Sequence, residues 1–306
     1  MLNKVVLFGV GLIGGSFARA LKKAGAVRQV VGIDRSAASL ERAKQLGIID
    51  EIGPLADADG AALAAALEGA DLIMLAAPVA QTGRILAMLA PHLPPGAVVT
   101  DAGSTKTDVV EAARRALGGK IAQFVPGHPI AGRETNGPDA AIDDLYIGKK
   151  AVLAPLPENS GQDVARVADA WRACGAIIHT LTPEEHDKVF AAVSHLPHLL
   201  AYALVDDIAR KPHADLLFQY AASGFRDFTR IAGSSPEMWR DISLANQAAL
   251  LTELDAYMAQ LTQLRARLAA GDGATLEAVY GNAQRARQRW IEAIEAAETP
   301  QPKDKE

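Results

Sequence analysis

The chain has 306 residues, 49% of them hydrophobic and 22% charged, with a formal net charge of −5. Such a length and hydrophobic content support two domains with separate cores, and the acidic balance without basic clusters argues against a nucleic-acid partner, whose phosphates need lysine and arginine. A single cysteine, Cys174, permits no internal disulfide and reads as a small buried hydrophobe in a reducing compartment.

Near the N-terminus, Lys4 to Phe8 reads as a short buried strand and is followed by Gly9-Val10-Gly11-Leu12-Ile13-Gly14. A helical pattern then runs through Phe17, Leu21 and Ala24. In a strand, glycine turn and helix of this kind the first glycine makes the turn and the second lets a pyrophosphate approach the backbone. The third lets helix and strand pack closely. A second strand, Gln29 to Ile33, ends in Asp34, where a carboxylate can accept from both adenosine ribose hydroxyls. The spacing therefore predicts a Rossmann-type α/β domain holding a dinucleotide. Asp34 repels a 2′-phosphate and favours NAD over NADP, although Arg35 just beyond it can turn toward such a phosphate. The run Val5 to Phe17, with its four glycines, is not a signal peptide, and no other stretch approaches the roughly 18 to 20 apolar residues of a membrane span. A cytoplasmic protein with a small-molecule ligand and no membrane partner is expected.

Strands at Leu72 to Ala76 and Ala97 to Thr100 continue the alternation, each ending at the ligand face of a parallel sheet. Ala77-Pro78 after the first of them borders the cofactor or merely stops the strand. After the second comes Asp101-Ala102-Gly103-Ser104-Thr105-Lys106. Ser104 or Thr105 suits a helix cap, whereas Lys106 sits badly at the positive end of a helix and suggests an anion ligand. Further along, Gly127-His128-Pro129-Ile130-Ala131-Gly132 places a histidine on a constrained loop. Imidazole, with an ordinary pKa of about 6.5, suits removal of a hydroxyl proton as hydride leaves the same carbon.

Beyond strands near Ala151 to Ala154 and Ala176 to His179 the pattern turns helical. Thr182-Pro183-Glu184-Glu185 makes a capping box, so a helix begins at Pro183; it runs through Ser194-His195-Leu196-Pro197-His198 with a kink at the proline. His195 and His198 share a face, but the His-Glu-x-x-His spacing of a zinc site is absent and no metal is expected. In Gly224 to Ile231, Arg230 either meets an anionic ligand or pairs with Asp227 or Asp241. A long helix from Leu244 to Leu268 offers a packing face, and a charged tail follows from Thr299 to Glu306. The expected division is 1–181, an NAD-binding domain, 182–298, an all-helical substrate and dimerisation domain, and 299–306, a loose tail.

Together, Gly9 to Ser16, Asp101 to Lys106, Gly127 to Gly132, Ser194 to His198 and Phe225 to Ile231 resemble the prephenate and arogenate dehydrogenases of tyrosine biosynthesis. The resemblance spans Lys4 to about Trp290 and implies a Rossmann-type domain joined to an all-helical domain that forms a homodimer. It implies NAD-dependent oxidative decarboxylation, with hydride leaving C4 of a cyclohexadienol ring. His128 matches the catalytic histidine and Ser104 the serine that orients it toward the hydroxyl. Arg230 matches the arginine for a substrate carboxylate, His198 a substrate-side histidine, and Trp239 a tryptophan near the site, reaching it from its own or from the partner subunit; His195 is structural. Arg133 stands where relatives often carry a small polar residue, and either reads a second carboxylate or is a loop charge. The length leaves no room for a fused chorismate mutase or ACT domain, so a monofunctional enzyme is expected. Two other readings share the layout. A β-hydroxyacid or 6-phosphogluconate type dehydrogenase would need Lys188 or Lys211 as its catalytic lysine, and neither lies in a glycine-rich setting. A non-catalytic dinucleotide sensor would leave His128, His198 and Arg230 without a purpose.

Overall fold

The structure, a computed structural model, describes residues 1–55, 60–133 and 135–298. The tail from residue 299 lies outside the described residues. Contacts divide the chain into two compact units, Met1–Leu250 and Leu251–Glu306.

In the first unit six parallel strands form one sheet: β1 (Leu2–Phe8), β2 (Val27–Ile33), β3 (Glu51–Ile52), β4 (Leu72–Leu75), β5 (Val98–Asp101) and β6 (Phe124–Val125). Their order is β3-β2-β1-β4-β5-β6. Chain order reverses between β1 and β4, which makes the carboxyl ends of those strands the place where a ligand fits in such a sheet. The strands read as unbroken apolar runs because helices cover both faces. Val5 and Leu7 point into a core with Phe17, Leu21 and Trp171, while Val6 and Phe8 point into one with Leu86, Leu89 and Phe124. The covering helices are α1 (Leu12–Lys23), α2 (Ala37–Gln45), α3 (Gly60–Leu67), α4 (Thr82–Leu89), α5 (Thr107–Leu117) and α6 (Gly161–Ala173). Cys174 is buried beyond α6, as expected, and burial pushes its thiol pKa well up.

A second sheet holds β7 (Gly127–Pro129), β8 (Lys150–Leu153) and β9 (Ile177–Thr180), with β7 antiparallel to β8 and β8 parallel to β9. His128 is therefore on an edge strand opposite Val152, and not on a loop. The physical reason is the proline itself. It forces the residue before it into extended backbone, and an edge strand tolerates its missing N–H.

The capping box forms as expected and starts α7 (Pro183–Phe190). A wider π turn follows over Ala191–His195, then α8 (Leu196–Ala209) with Pro197 in its first turn. The expected kink is thus a π turn placed just before the proline, which cannot donate a helical hydrogen bond and crowds the preceding turn. Contrary to the sequence reading, Pro183–Ala209 is long and apolar enough, by length and composition, to cross a membrane. In the fold this run carries the buried polar residues His186, Asp187 and His195.

Three shorter helices, α9 (Ala214–Gln219), α10 (Ser223–Thr229) and α11 (Pro236–Ala245), complete the first unit before α12 (Gln247–Ala269). The single helix expected over Leu244 to Leu268 is broken at Asn246, whose buried side chain bonds to Asp187 and His195. The second unit holds the rest of α12 and α13 (Gly273–Glu298), joined through Gly271 at φ +64°. The packing face is present but uncovered in the single chain: Leu251, Met258, Leu261 and Leu268 are exposed, as are Tyr280 and Trp290 on α13.

Candidate active site

One cleft of about 760 Å³ opens at the carboxyl ends of β1, β2, β4 and β5. Gly9, Gly11, Leu12, Ile13, Asp34, Arg35, Ala77, Pro78, Ser104, His128, Arg133, His198, Arg230 and Trp239 all line it. Gly14 alone of the predicted residues lies beneath the lining, where a Cβ would meet the Gly9 carbonyl oxygen at 2.1 Å; it serves helix-to-strand contact, as its place in the motif predicts.

At one end of the cleft Gly9 turns the chain at φ +93°, and a Cβ there would strike the Ala76 carbonyl oxygen at 2.6 Å. Gly11 caps α1 with no side-chain hydrogen bond, so the first N–H groups of the helix are left for an anion. Asp34 accepts from the Val10 amide at 3.1 Å and from the Ser36 amide at 3.0 Å, one on each oxygen. Each oxygen keeps a second lone pair for a hydroxyl. Arg35 is exposed at the rim, and Pro78 both lines the cleft and opens a short 3₁₀ turn. This cradle fits a dinucleotide: small residues where phosphates must approach, a bare helix N-terminus, and a pre-positioned carboxylate.

At the other end, the Asp101 carboxylate at the tip of β5 ties two segments together. It accepts from the Gly127 amide at 3.0 Å and from the Gly103 amide at 2.8 Å, the residues before His128 and Ser104. It also pairs with Lys106, and both side chains are fully buried. Lys106 is therefore an internal counter-ion, and the anion-ligand reading of its sequence position is corrected. Likewise α5 is not capped by Ser104 or Thr105. The Lys106 and Thr107 amides each donate at 2.8 Å to the carboxylate of Asp187, reached from α7.

His128 is half-buried and meets His186, Nδ1 to Nε2, at 2.8 Å. His186 in turn meets the Asp187 carboxylate through its Nδ1 at 2.8 Å. Phe190 packs against both rings, at centroid distances of 4.9 and 4.4 Å. Burial, then the charges of His186, Lys106 and His195, holds His128 well below the ordinary imidazole range, so it is neutral near pH 7. Burial also lowers His186, against the opposing pull of Asp187. Burial would raise Asp187, but hydrogen bonds from His186 and Thr107 outweigh it and keep the carboxylate ionised. On the far wall His198 stacks on Trp239 of the same chain, 3.5 Å between centroids, and donates Nδ1–H to the Ser194 carbonyl at 2.8 Å. Burial lowers His198, and so does the charge of Arg230. Arg230 lines the same cleft as Asp241 and takes part in an interaction within the chain. Arg133 stands exposed at the rim.

His195 is not in the lining. Its Nδ1 faces the Asn246 amide at 3.1 Å, the same NH₂ group that donates to the Asp187 carbonyl at 2.8 Å. Its Nε2 has no hydrogen-bond partner among the described residues, and the Ser104 backbone lies near the ring. Burial lowers His195 to about 4. Neutral buried histidines cost stability in acid: the unfolded chain binds protons near pH 6.5 that the native state refuses. Stability is then full above about pH 6.5 and lost as pH falls toward 4, and Tm measured across that range is expected to drop steadily.

Sequence reading missed His186, Asp187 and Asn246. Its one usable signal was periodicity: His186, Asp187, Phe190 and Ala191 recur at the spacing of a buried helix face, and all four are buried.

A Rossmann-type cradle next to a neutral histidine, with an arginine across the cleft, defines a dinucleotide-dependent oxidoreductase. Residues 17–180 match the nucleotide-binding domain of prephenate dehydrogenase, and residues 182–281 match the dimerization domain of prephenate dehydrogenase. The cyclohexadienyl dehydrogenase of Zymomonas mobilis is 36% identical over 290 residues, 94% of this chain and 96% of that protein. The prephenate dehydrogenase of Aquifex aeolicus, solved with hydroxyphenyl propionate and NAD+, is 36% identical over 97% of this chain and 99% of that one, with a TM-score of 0.83. Synechocystis arogenate dehydrogenase is 31% identical, covers 94% of this chain and 99% of its own, and superposes with a TM-score of 0.76. The chain belongs to the prephenate dehydrogenase family.

Proposed function

We propose that this protein catalyses the NAD-dependent oxidative decarboxylation of prephenate, arogenate or both, with His128 as the base. The observation that carries the reading is a neutral histidine whose Nδ1 is taken up by His186, which leaves its other nitrogen for a hydroxyl within the dinucleotide cleft. A bound nicotinamide supplies the hydride acceptor. As hydride leaves C4 of the ring, His128 takes the hydroxyl proton. The bond from the ring to its carboxylate then breaks to release CO₂, its electron pair restores the aromatic ring, and the phenolate oxygen recovers the proton. Arg230, a planar donor of paired hydrogen bonds, suits a substrate carboxylate, and His198, held by Trp239 and the Ser194 carbonyl, forms the wall beside it. Arg133, exposed at the rim, would meet a second carboxylate on the side chain of the substrate. The match of residues 182–281 to a dimerization domain and the uncovered apolar side chains of α12 and α13 support a homodimer.

The test is NADH formation by the purified protein with NAD and either prephenate or arogenate. Turnover of either supports the proposal, and turnover of neither, with NAD binding intact, refutes it. Replacing Arg230 by Ala is expected to raise KM for the ring substrate about 10- to 150-fold, the worth of a lost charged hydrogen bond, with a smaller effect on kcat. Asp34→Ser removes the carboxylate that faces the ribose and leaves Arg35 in place. The ratio of kcat/KM for NAD to that for NADP is expected to fall by about tenfold or more; an unchanged ratio would remove Asp34 from cofactor choice.

A further inference from the structure

Asp187 receives hydrogen bonds on both oxygens: the Lys106 amide and His186 Nδ1 on Oδ1, the Thr107 amide on Oδ2, each at 2.8 Å. A carboxylate only accepts, so the proton shared with His186 resides on the Nδ1 of that histidine. A neutral His186 then carries its lone pair on Nε2, and the 2.8 Å contact with His128 places a proton on His128 Nδ1. The nitrogen left without a proton is His128 Nε2. Each step follows from the donor and acceptor character of the group before it, starting from a carboxylate anchored independently of the histidines at the N-terminus of α5.

We propose that His186 and Asp187 are positioning residues that fix His128 in the tautomer with Nδ1 protonated and Nε2 free, and that Asp187 is the counter-charge when Nε2 accepts the hydroxyl proton. The tautomer follows from the contact geometry with His186 neutral, as its burial favours, and the identity of the proton donor rests on the activity proposed above. During the step the substrate O–H bond breaks and an Nε2–H bond forms. The positive charge stays on His128, and the two existing hydrogen bonds direct it toward Asp187 without any proton leaving His186. The other charged and titratable groups around the pair are Lys106 and His195, which oppose a positive charge here, and Asp101, which favours one on His186. The Asn246 amide, bonded to the Asp187 carbonyl at 2.8 Å, holds α7 in place from the opposite side.

Long-range ¹H–¹⁵N correlation spectra of the full chain with labelled histidine, assigned against His128→Asn and His186→Gln, test the tautomer without any turnover. Both His128 and His186 are expected to carry the proton on Nδ1 at neutral pH, and a proton on His128 Nε2 would overturn the proposal. Kinetically, His186→Leu is expected to lower kcat by about 10²-fold with KM within about threefold. The amide of His186→Gln can accept from His128 and donate to Asp187, so it is expected to recover at least about tenfold of that loss. Equal kcat for the Leu and Gln variants, or wild-type kcat in the Leu variant, would overturn the role. Should the Leu variant fail to fold, the spectra and the Gln variant still decide. A protein inactive on both ring substrates yet showing this tautomer would refute the activity and leave the tautomer assignment standing; the opposite pair of results would refute that assignment alone.

Discussion

His128→Asn is expected to lower kcat by about 10³-fold while the dissociation constant for NAD stays within about threefold. Asparagine keeps a side chain of similar polarity on β7 and can still reach toward His186, so the strand pairing with β8 should persist. What is lost is the only function an amide cannot supply, a nitrogen that takes and returns a proton. The cradle around Gly9, Gly11 and Asp34 is built on other strands and has no contact that depends on imidazole. Stopped-flow or steady-state NADH formation, set beside a fluorescence titration with NADH, separates the two effects. The same residue sets the acid limb of the pH profile. Its depressed pKa keeps the base form present below the ordinary histidine value, so kcat/KM should stay level through pH 6.5 and fall only in more acidic solution.

Asp101→Asn is expected to cost about 3–5 kcal/mol, because it leaves the Lys106 ammonium buried without its counter-ion. For a chain of this size that is a fall in Tm on the order of 10 °C. Replacing both members, Asp101→Leu with Lys106→Met, removes the charge pair together and should recover most of that stability. Activity should not recover with it. Asp101 also holds the Gly103 and Gly127 amides, and through them the backbone before Ser104 and before His128. A stable but poorly active double variant would show that the pair serves alignment more than stability. Recovery of both would mean that β5 and β7 find their places without it.

The parts of the fold that were legible in the sequence are those decided within a few residues. The glycine turn, Asp34 at the end of β2 and the capping box at Thr182 each follow from backbone geometry over a short span, and each is found where the pattern put it. The wall formed by His198 and Arg230 was reached through resemblance of whole motifs. The network behind His128 was not legible because its partners lie far away in sequence: 58 residues separate His128 from His186, and 81 separate Lys106 from Asp187. In the linear chain, Glu184-Glu185-His186-Asp187-Lys188 looks like the solvated start of a helix. Only the fold turns His186 and Asp187 inward against α5. Lys106 did give a signal, a cation at the wrong end of a helix, and the signal was sound even though the partner turned out to be internal. For the same reason the break at Asn246 was hidden, since a polar residue inside an apolar helical pattern does not reveal that its amide is required by two groups from another helix.

The most direct test of the central claim is the ratio of CO₂ released to NADH formed when the wild-type protein consumes prephenate or arogenate. One CO₂ is expected for each NADH, with an aromatic phenol as the other product. NADH formed without CO₂, or CO₂ released without NADH, would contradict it.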